Sequence, residues 1–384
     1  MKNVSDRVDE IPKSGIRKFF ELTMGMDDVI SLGVGEPDFV TPWHIREACI
    51  YSLEKGYTMY TSNYGILELR EVISDSISDY GISYRPEDEI LVTVGVSEGF
   101  DLAIRATVNP GDEVLIPEPC YVSYKPCTIL AGGKPVTVPT KVEDSFKVLP
   151  EEIEKGITGR TKVLVLSFPS NPTGAVMTKK ELEAIADVAV EHDILVISDE
   201  VYDKLTYEGK HTCFSTLNGM RDRTIYLNGL SKSYAMTGWR VGYAAGDPEI
   251  IEAMMKIHQY TALCAPITAQ MAAIEALKRG DGPLKEMVTA YNHRRRLIVK
   301  RLNEIGLFCF EPKGAFYAFP SIEATGLSSS EFCEKLLKEE KVAVVPGDAF
   351  GDSGKGFIRC AYAASMEDLL EAALRMDRFS KKFL

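Results

Sequence analysis

Long apolar runs are missing from this 384-residue chain. None approaches the roughly eighteen residues a membrane helix needs, and the opening MKNVSDRVDE has no apolar stretch of the kind that marks a secretory signal. Paired cysteines are missing too. Cys49, Cys120, Cys127, Cys213, Cys264, Cys309, Cys333 and Cys360 are scattered without a CxxC, and the five histidines are as dispersed. That pattern argues against a zinc site, and a disulfide framework is not expected at this size. Positive charge is also short. Forty-four basic residues against 56 acidic ones leave a net charge of −12. Such a chain repels phosphate backbones and anionic lipid, so nucleic acid and membrane surfaces are poor partners. Any anionic ligand must be met by a local cluster of donors. Repeats, low-complexity tracts and Gly/Ser linkers are absent as well. What is left is a reduced, soluble chain expected in the cytoplasm. Its 45% hydrophobic and 26% charged residues suit two or three globular domains.

What is present is alternation. EILVTV (89–94), DEVLIP (112–117), KVLVLSF (162–168), DILVIS (193–198), TIYLNG (224–229) and RVGYAAG (240–246) read as strands. SEGFDLAIRATV and KKELEAIADVAVEH (179–192) carry helical spacing between them. Continuous apolar strands alternating with helices predict an α/β fold, a mainly parallel sheet sandwiched by helices. Ligands in such folds sit beyond the carboxyl ends of the strands. After about residue 280 the character changes. GDGPLKEMV reads as a break, followed by a basic helix, strand-like GAFYAFP, KVAVVPG and GFIRCAYA, and a last amphipathic helix. The expected division is a large domain over 45–280 and a smaller α+β domain from 1–44 and 281–384, including an N-terminal arm. Arg294–Arg296 is expected on a solvated or interface helix face, given the acidic balance.

Five places carry chemistry. Lys232 lies between Ser231 and Ser233, after a strand, with Arg240 eight positions on and no carboxylate near it in sequence. In SDEVY, Asp199 sits where a buried strand emerges and Tyr202 follows three residues later; a strand-end carboxylate capping a loop is the plain alternative. In SFPSNPTGAV two prolines and a glycine fix a loop around Asn171, although loop punctuation alone explains Pro172 and Gly174. In TVGVSEGF a glycine-led turn opens a helix near Ser97, and helix N-terminal amides suit phosphate. Arg359, on an apolar strand, suits bidentate binding of a carboxylate; a surface salt bridge is its plain alternative. Each signal is modest. Together they make an inventory for pyridoxal 5′-phosphate: an amine to attack its aldehyde, a carboxylate for its ring nitrogen, hydroxyl and amide for its ring oxygen, and donors for its phosphate.

The ordered segments SLGVGEPDFVTP, YTSNYGILELR, PSNPTGAV, SDEVYDKLTYEG, SKSYAMTGWRVGY, PKGAFYAFP, VAVVPGDAFG and IRCAYA resemble the class I/II, fold-type I aminotransferases over nearly the whole chain. Their detail is closest to archaeal aromatic and aspartate enzymes. The resemblance implies that Lys232 carries the cofactor as a Schiff base and moves the proton. It implies that Asp199 protonates the ring nitrogen and that Tyr202 and Asn171 bond the ring oxygen. Tyr121 would stack on the ring, and Val96, Ser97, Ser231 and Arg240 would bind the phosphate. Tyr60 would reach the phosphate of a neighbouring subunit in a homodimer with shared sites. Gly35, Asn171 and Arg359 would hold the substrate carboxylate, with Tyr121 against the substrate and the loop around Ile16 and Gly35 closing over it.

Two positions depart from the pattern. Tyr121 stands where many relatives have tryptophan or phenylalanine. Ser97 stands where aspartate-preferring relatives often carry lysine. The resemblance therefore implies an aromatic amino acid donor with 2-oxoglutarate as acceptor. Aspartate, alanine, kynurenine or a diaminopimelate precursor are alternative substrates. A carbon–sulfur β-lyase and a non-catalytic cofactor-binding module are alternatives of other kinds.

Overall fold

The structure is a computed structural model that describes residues 4–11 and 26–384. A short strand, β1 (Ile30–Ser31), precedes the main sheet. That sheet comprises β2 (Ile90–Thr93), β3 (Glu113–Glu118), β4 (Lys134–Pro139), β5 (Thr161–Ser167), β6 (Leu195–Asp199), β7 (Thr224–Gly229) and β8 (Gly242–Ala245), in the order β2-β8-β7-β6-β5-β3-β4. The neighbours from β7 through β4 pair parallel, and β8 pairs antiparallel with both β7 and β2. The expected α/β fold is therefore present, with β8 as its one antiparallel strand.

Burial explains the continuous apolar runs. Along β5, Val163 and Val165 join one core cluster while Leu164 and Leu166 join another. Ile197 and Val196 of β6 divide the same way, so both faces are covered by helices. The helix Val96–Thr107 lies on one face and the helix Lys179–Glu191 on the other. Thr178 and Glu181 close a reciprocal cap at the start of the second helix, which fixes where it begins. Strand β4 had no counterpart in the apolar pattern. It sits at the sheet edge, where Pro135 and Pro139 cost no ladder partner on the open side.

The C-terminal part holds β9 (Tyr317–Ala318), β10 (Val342–Ala343), β11 (Val345–Pro346) and β12 (Ile358–Ala361). Strands β11, β12 and β9 form an antiparallel sheet, and β1 pairs parallel with β10. Two sequence expectations need correction here. GDGPLKEMV marks a break only at Gly280, which separates the helix Ile267–Arg279 from a 25-residue helix, Asp281–Ile305; the rest of the segment opens that second helix. Gly282 and Pro283 occupy its first turn, where the missing proline N–H leaves no bond unmade. Nor does the basic triplet as a whole form the solvated or interface face expected of it. Arg296 is exposed, but Arg294 pairs with Asp38 at 2.7 Å and Arg295 is fully buried. Arg295 donates to Asn292 and to the Pro312 carbonyl, and pairs with Glu208 and Glu311. Its partners come from two other segments, which the local sequence does not display.

Candidate active site

The carboxyl ends of β2, β3, β5, β6 and β7 and the start of antiparallel β8 share one edge of the sheet. A cavity of about 490 Å³ opens there. Its lining includes Gly35, Val96, Ser97, Tyr121, Asn171, Asp199, Tyr202, Ser231, Lys232, Arg240 and Arg359. Residues chosen from seven separate stretches of sequence therefore converge. Tyr60 does not line the cavity; it is 79% exposed. Ile16 lies outside the described residues.

Lys232 sits in a four-residue helix, Leu230–Ser233, directly after β7. Its Nζ donates to the Gly35 carbonyl at 2.6 Å. Burial, with the positive charge of Arg359 nearby, lowers its pKa to about 8. A lysine held this way yields its proton far more readily than a surface lysine.

Asp199 ends β6 and is 6% exposed. It accepts from Tyr124 Oη at 2.7 Å and from the Val201 amide at 3.2 Å. No ion pair reaches it among the described residues. Burial pushes its pKa up to about 6, against the lowering effect of those two donors. A buried carboxylate with room in front of it and no cation is poised for a cationic ligand atom.

The anion end of the cavity is built from close backbone approach. Gly95, with φ 78°, caps the helix Val96–Thr107 without a side chain, so the first-turn amides at Val96 and Ser97 have no intrahelical acceptor. A Cβ on Gly95 would come within 2.6 Å of Arg240 Nη2. Arg240 is itself left-handed, with φ 53°, and donates to the Thr237 carbonyl at 3.0 Å. Ser231 also lines the cavity. Glu98 steadies the turn: its carboxylate accepts from the Val94 amide and from His258 Nδ1, a fully buried ring 2.9 Å away.

Arg359, on β12, also lines the cavity and is buried beneath Tyr317 and Phe350, whose ring centres lie 4.5 and 4.8 Å from its guanidinium carbon. It donates to Asn171 Oδ1 at 2.9 Å and to the Gly33 carbonyl at 2.7 Å, while its buried Nε has no partner. Tyr202 Oη lies 2.7 Å from Tyr317 Oη. Tyr121 Oη lies 3.4 Å from Ser97 Oγ. A Cβ on Gly35 would come within 2.7 Å of Tyr317 Oη, so glycine is needed for the chain to pass.

Sequence reasoning missed Tyr124, Tyr317, Glu98 and His258. Tyr317 lies in the quoted GAFYAFP and Tyr124 three residues after Tyr121, so helical spacing was a signal for the latter. The partners of all four are distant in sequence, apart from the Glu98 contact with Val94.

An amine of lowered basicity, a buried carboxylate without a cation and an open cradle of amides and arginine suit pyridoxal phosphate, which fits the donor set present. Fold and site together define an α/β enzyme of the pyridoxal phosphate-dependent transferases. Residues 27–376 match the family model described as aminotransferase class I and II, and the chain belongs to that family.

The putative aminotransferase YugH of Bacillus subtilis is 54% identical over 380 residues, covering 99% of this chain and 98% of the relative. Aromatic-amino-acid aminotransferase 2 of Thermococcus litoralis is 48% identical, covering 99% and 98%. The aspartate aminotransferase of Pyrococcus abyssi is 50% identical, covering 98% and 97%. Among solved structures, the aromatic aminotransferase from Pyrococcus horikoshii OT3 superposes with a TM-score of 0.91 at 50% identity, covering 96% of this chain and 99% of that one. The chain is a pyridoxal phosphate-dependent aminotransferase. Its substrates are amino acids and 2-oxo acids.

Proposed function

We propose that the enzyme moves the amino group of an aromatic amino acid to 2-oxoglutarate in two half-reactions. The observation that carries this reading is the cation inventory. Among the described lining residues the cations are Lys232, Arg240 and Arg359. Each has a task, and the wall near Ser97 offers hydroxyls and aromatic surface instead. An apolar donor side chain suits that wall, and the second carboxylate of 2-oxoglutarate must be met by neutral donors or by groups beyond this lining.

Pyridoxal phosphate supplies the electron sink that labilises bonds at the substrate Cα. The chain's residues do the rest. Arg359, held in one orientation by Asn171, Gly33 and two rings, grips the α-carboxylate and orients Cα. Lys232 Nζ gives and takes the proton at Cα. Asp199, kept acidic enough by Tyr124 and the Val201 amide, holds a proton on the ring nitrogen. Tyr202 and the Asn171 amide would bond the ring oxygen, and Tyr121 would stack on the ring. The Val96 and Ser97 amides, Ser231 and Arg240 hold the phosphate.

Exposed Tyr60 belongs to the neighbouring active site of a cytoplasmic homodimer. The chain divides into a large domain over 45–280 and a small one from 1–44 and 281–384, a division that the β1–β10 pairing supports.

The test is the visible spectrum of the loaded enzyme with one amino acid and no acceptor. Phenylalanine is expected to discharge the cofactor band, with kcat/KM well above that for aspartate. Discharge by aspartate alone would overturn the reading in favour of an aspartate enzyme, a name some relatives carry. Ser97→Lys is expected to raise the aspartate-to-phenylalanine ratio of kcat/KM.

A further inference from the structure

The reaction uses one face of the β5 and β6 ends. The other face lines a second cavity, of about 400 Å³. Side chains alternate along a strand, so Asp199 faces the catalytic cavity while Ser198 and Glu200 face this rear one. Its floor is apolar: Leu166, Phe168, Met177, Leu182 and Phe214. Lys179, Lys210 and Lys313 also line it. In a chain with a −12 balance, three lysines converging on one apolar cavity is an unusual arrangement.

The acidic groups of this cavity are already committed. Glu200 accepts from Ser198 Oγ and the Phe214 amide and pairs with His211. Burial opposes the His211 charge, but Glu200 outweighs it and raises the His211 pKa. Glu208 lies 2.9 Å from Arg295 and 3.7 Å from Lys313. Lys210 makes no ion pair among the described residues, and Lys179 has only Glu183 at 3.8 Å, both exposed. Positive charge is left over above an apolar floor.

We propose that the rear cavity binds a small carboxylate with an apolar body, its carboxylate between Lys179 and Lys210 and its body on Leu182 and Phe214. A bare inorganic anion leaves the floor unused, and a neutral apolar molecule leaves the lysines unused. The site lies directly behind the catalytic one, on the other face of the same strand ends. Glu200 adjoins Asp199, and the loop from Thr206 to Phe214 is tied to the C-terminal part by the Tyr207 amide on the Lys313 carbonyl at 2.9 Å.

The experiment is calorimetric titration of the loaded enzyme with 3-phenylpropionate, which has no amino or oxo group to react. Two sites per chain are expected. One competes with substrate and perturbs the visible cofactor band; the other is spectrally silent. Lys179→Glu/Lys210→Glu is expected to weaken the silent site by about tenfold or more, taking exposed charge pairs at the upper end of their usual strength. Turnover and the competitive site should stay unchanged. Lys210→Glu alone is the fallback if the double variant unfolds. A single site per chain, or silent binding indifferent to these variants, would overturn the proposal. Inorganic phosphate displacing the probe at equal concentration would overturn the assigned ligand class.

Discussion

Replacing Asp199 by asparagine is expected to make the cofactor-free enzyme more stable while destroying its chemistry. Asp199 is 6% exposed and unpaired with any cation among the described residues, and its pKa is pushed up to about 6. The unfolded value is 3.8. A pKa raised in the folded state means that the native protein binds the proton more tightly than the unfolded chain. Its stabilising contribution is complete below about pH 4 and is lost as pH rises through about 6. Above that, folding carries an ionised carboxylate into the interior at a cost of about 3 kcal/mol, from roughly two units at 1.36 kcal/mol each. Asparagine carries no such cost, and its Oδ1 still accepts from Tyr124 or the Val201 amide. At pH 8 the cofactor-free variant is therefore expected to melt about 4 °C above the cofactor-free parent, for a chain of this length. At pH 4 the two should coincide. With cofactor bound the order reverses, because the carboxylate then has its cation and the amide does not. Calorimetric unfolding at both pH values, with and without cofactor, measures all four states. A variant that melts below the parent at pH 8 without cofactor, or a gain that persists at pH 4, would refute the reasoning.

Other outcomes follow from the same geometry. The pKa of Lys232, lowered to about 8, predicts that cofactor uptake by the cofactor-free protein accelerates through pH 8 as the amine loses its proton; a midpoint near that of a surface lysine, read by stopped-flow absorbance, would contradict this. Lys232→Ala should cut the half-reaction by about two to four orders of magnitude, the usual worth of a positioned proton carrier, measured in single turnovers. Arg359→Lys keeps the charge and loses the fork, so KM for every amino acid should rise, by about thirtyfold if one charge-assisted bond of about 2 kcal/mol is lost. His258→Leu leaves Glu98 without its buried partner and should loosen the turn at Val94–Ser97, raising the cofactor Kd measured by equilibrium dialysis while phenylalanine KM on the loaded enzyme is unchanged.

Much of the sheet was legible because its strands are apolar on both faces, and Val163–Leu166 and Val196–Ile197 feed two different cores. Pattern failed where context replaced it. β4 carries two prolines, a lysine and a threonine, which an edge strand tolerates, and β8 runs antiparallel for reasons its own residues do not carry. Asp281–Pro283 opens a helix despite two residues that usually end one. In the site, Lys232, Asp199 and Arg359 stood out as charges in apolar or small-residue surroundings. Tyr124, Tyr317 and His258 did not, since an aromatic or histidine among apolar residues reads as core. Their part lies in a hydroxyl or ring nitrogen meeting a group on a distant segment, a fact of packing rather than of pattern.

The contact between Arg359 and the Gly33 carbonyl has a consequence for synthesis. It joins residues 326 positions apart, and the Lys232–Gly35 contact spans 197. A chain emerging from the ribosome can close its main sheet once β8 is out. The half that would carry the phosphate, the ring nitrogen contact and the reactive amine can then assemble around the cofactor. The grip on substrate must wait for β12, near the end of translation. Loading with cofactor can therefore precede competence, and a nascent enzyme can be charged before it is able to hold an amino acid.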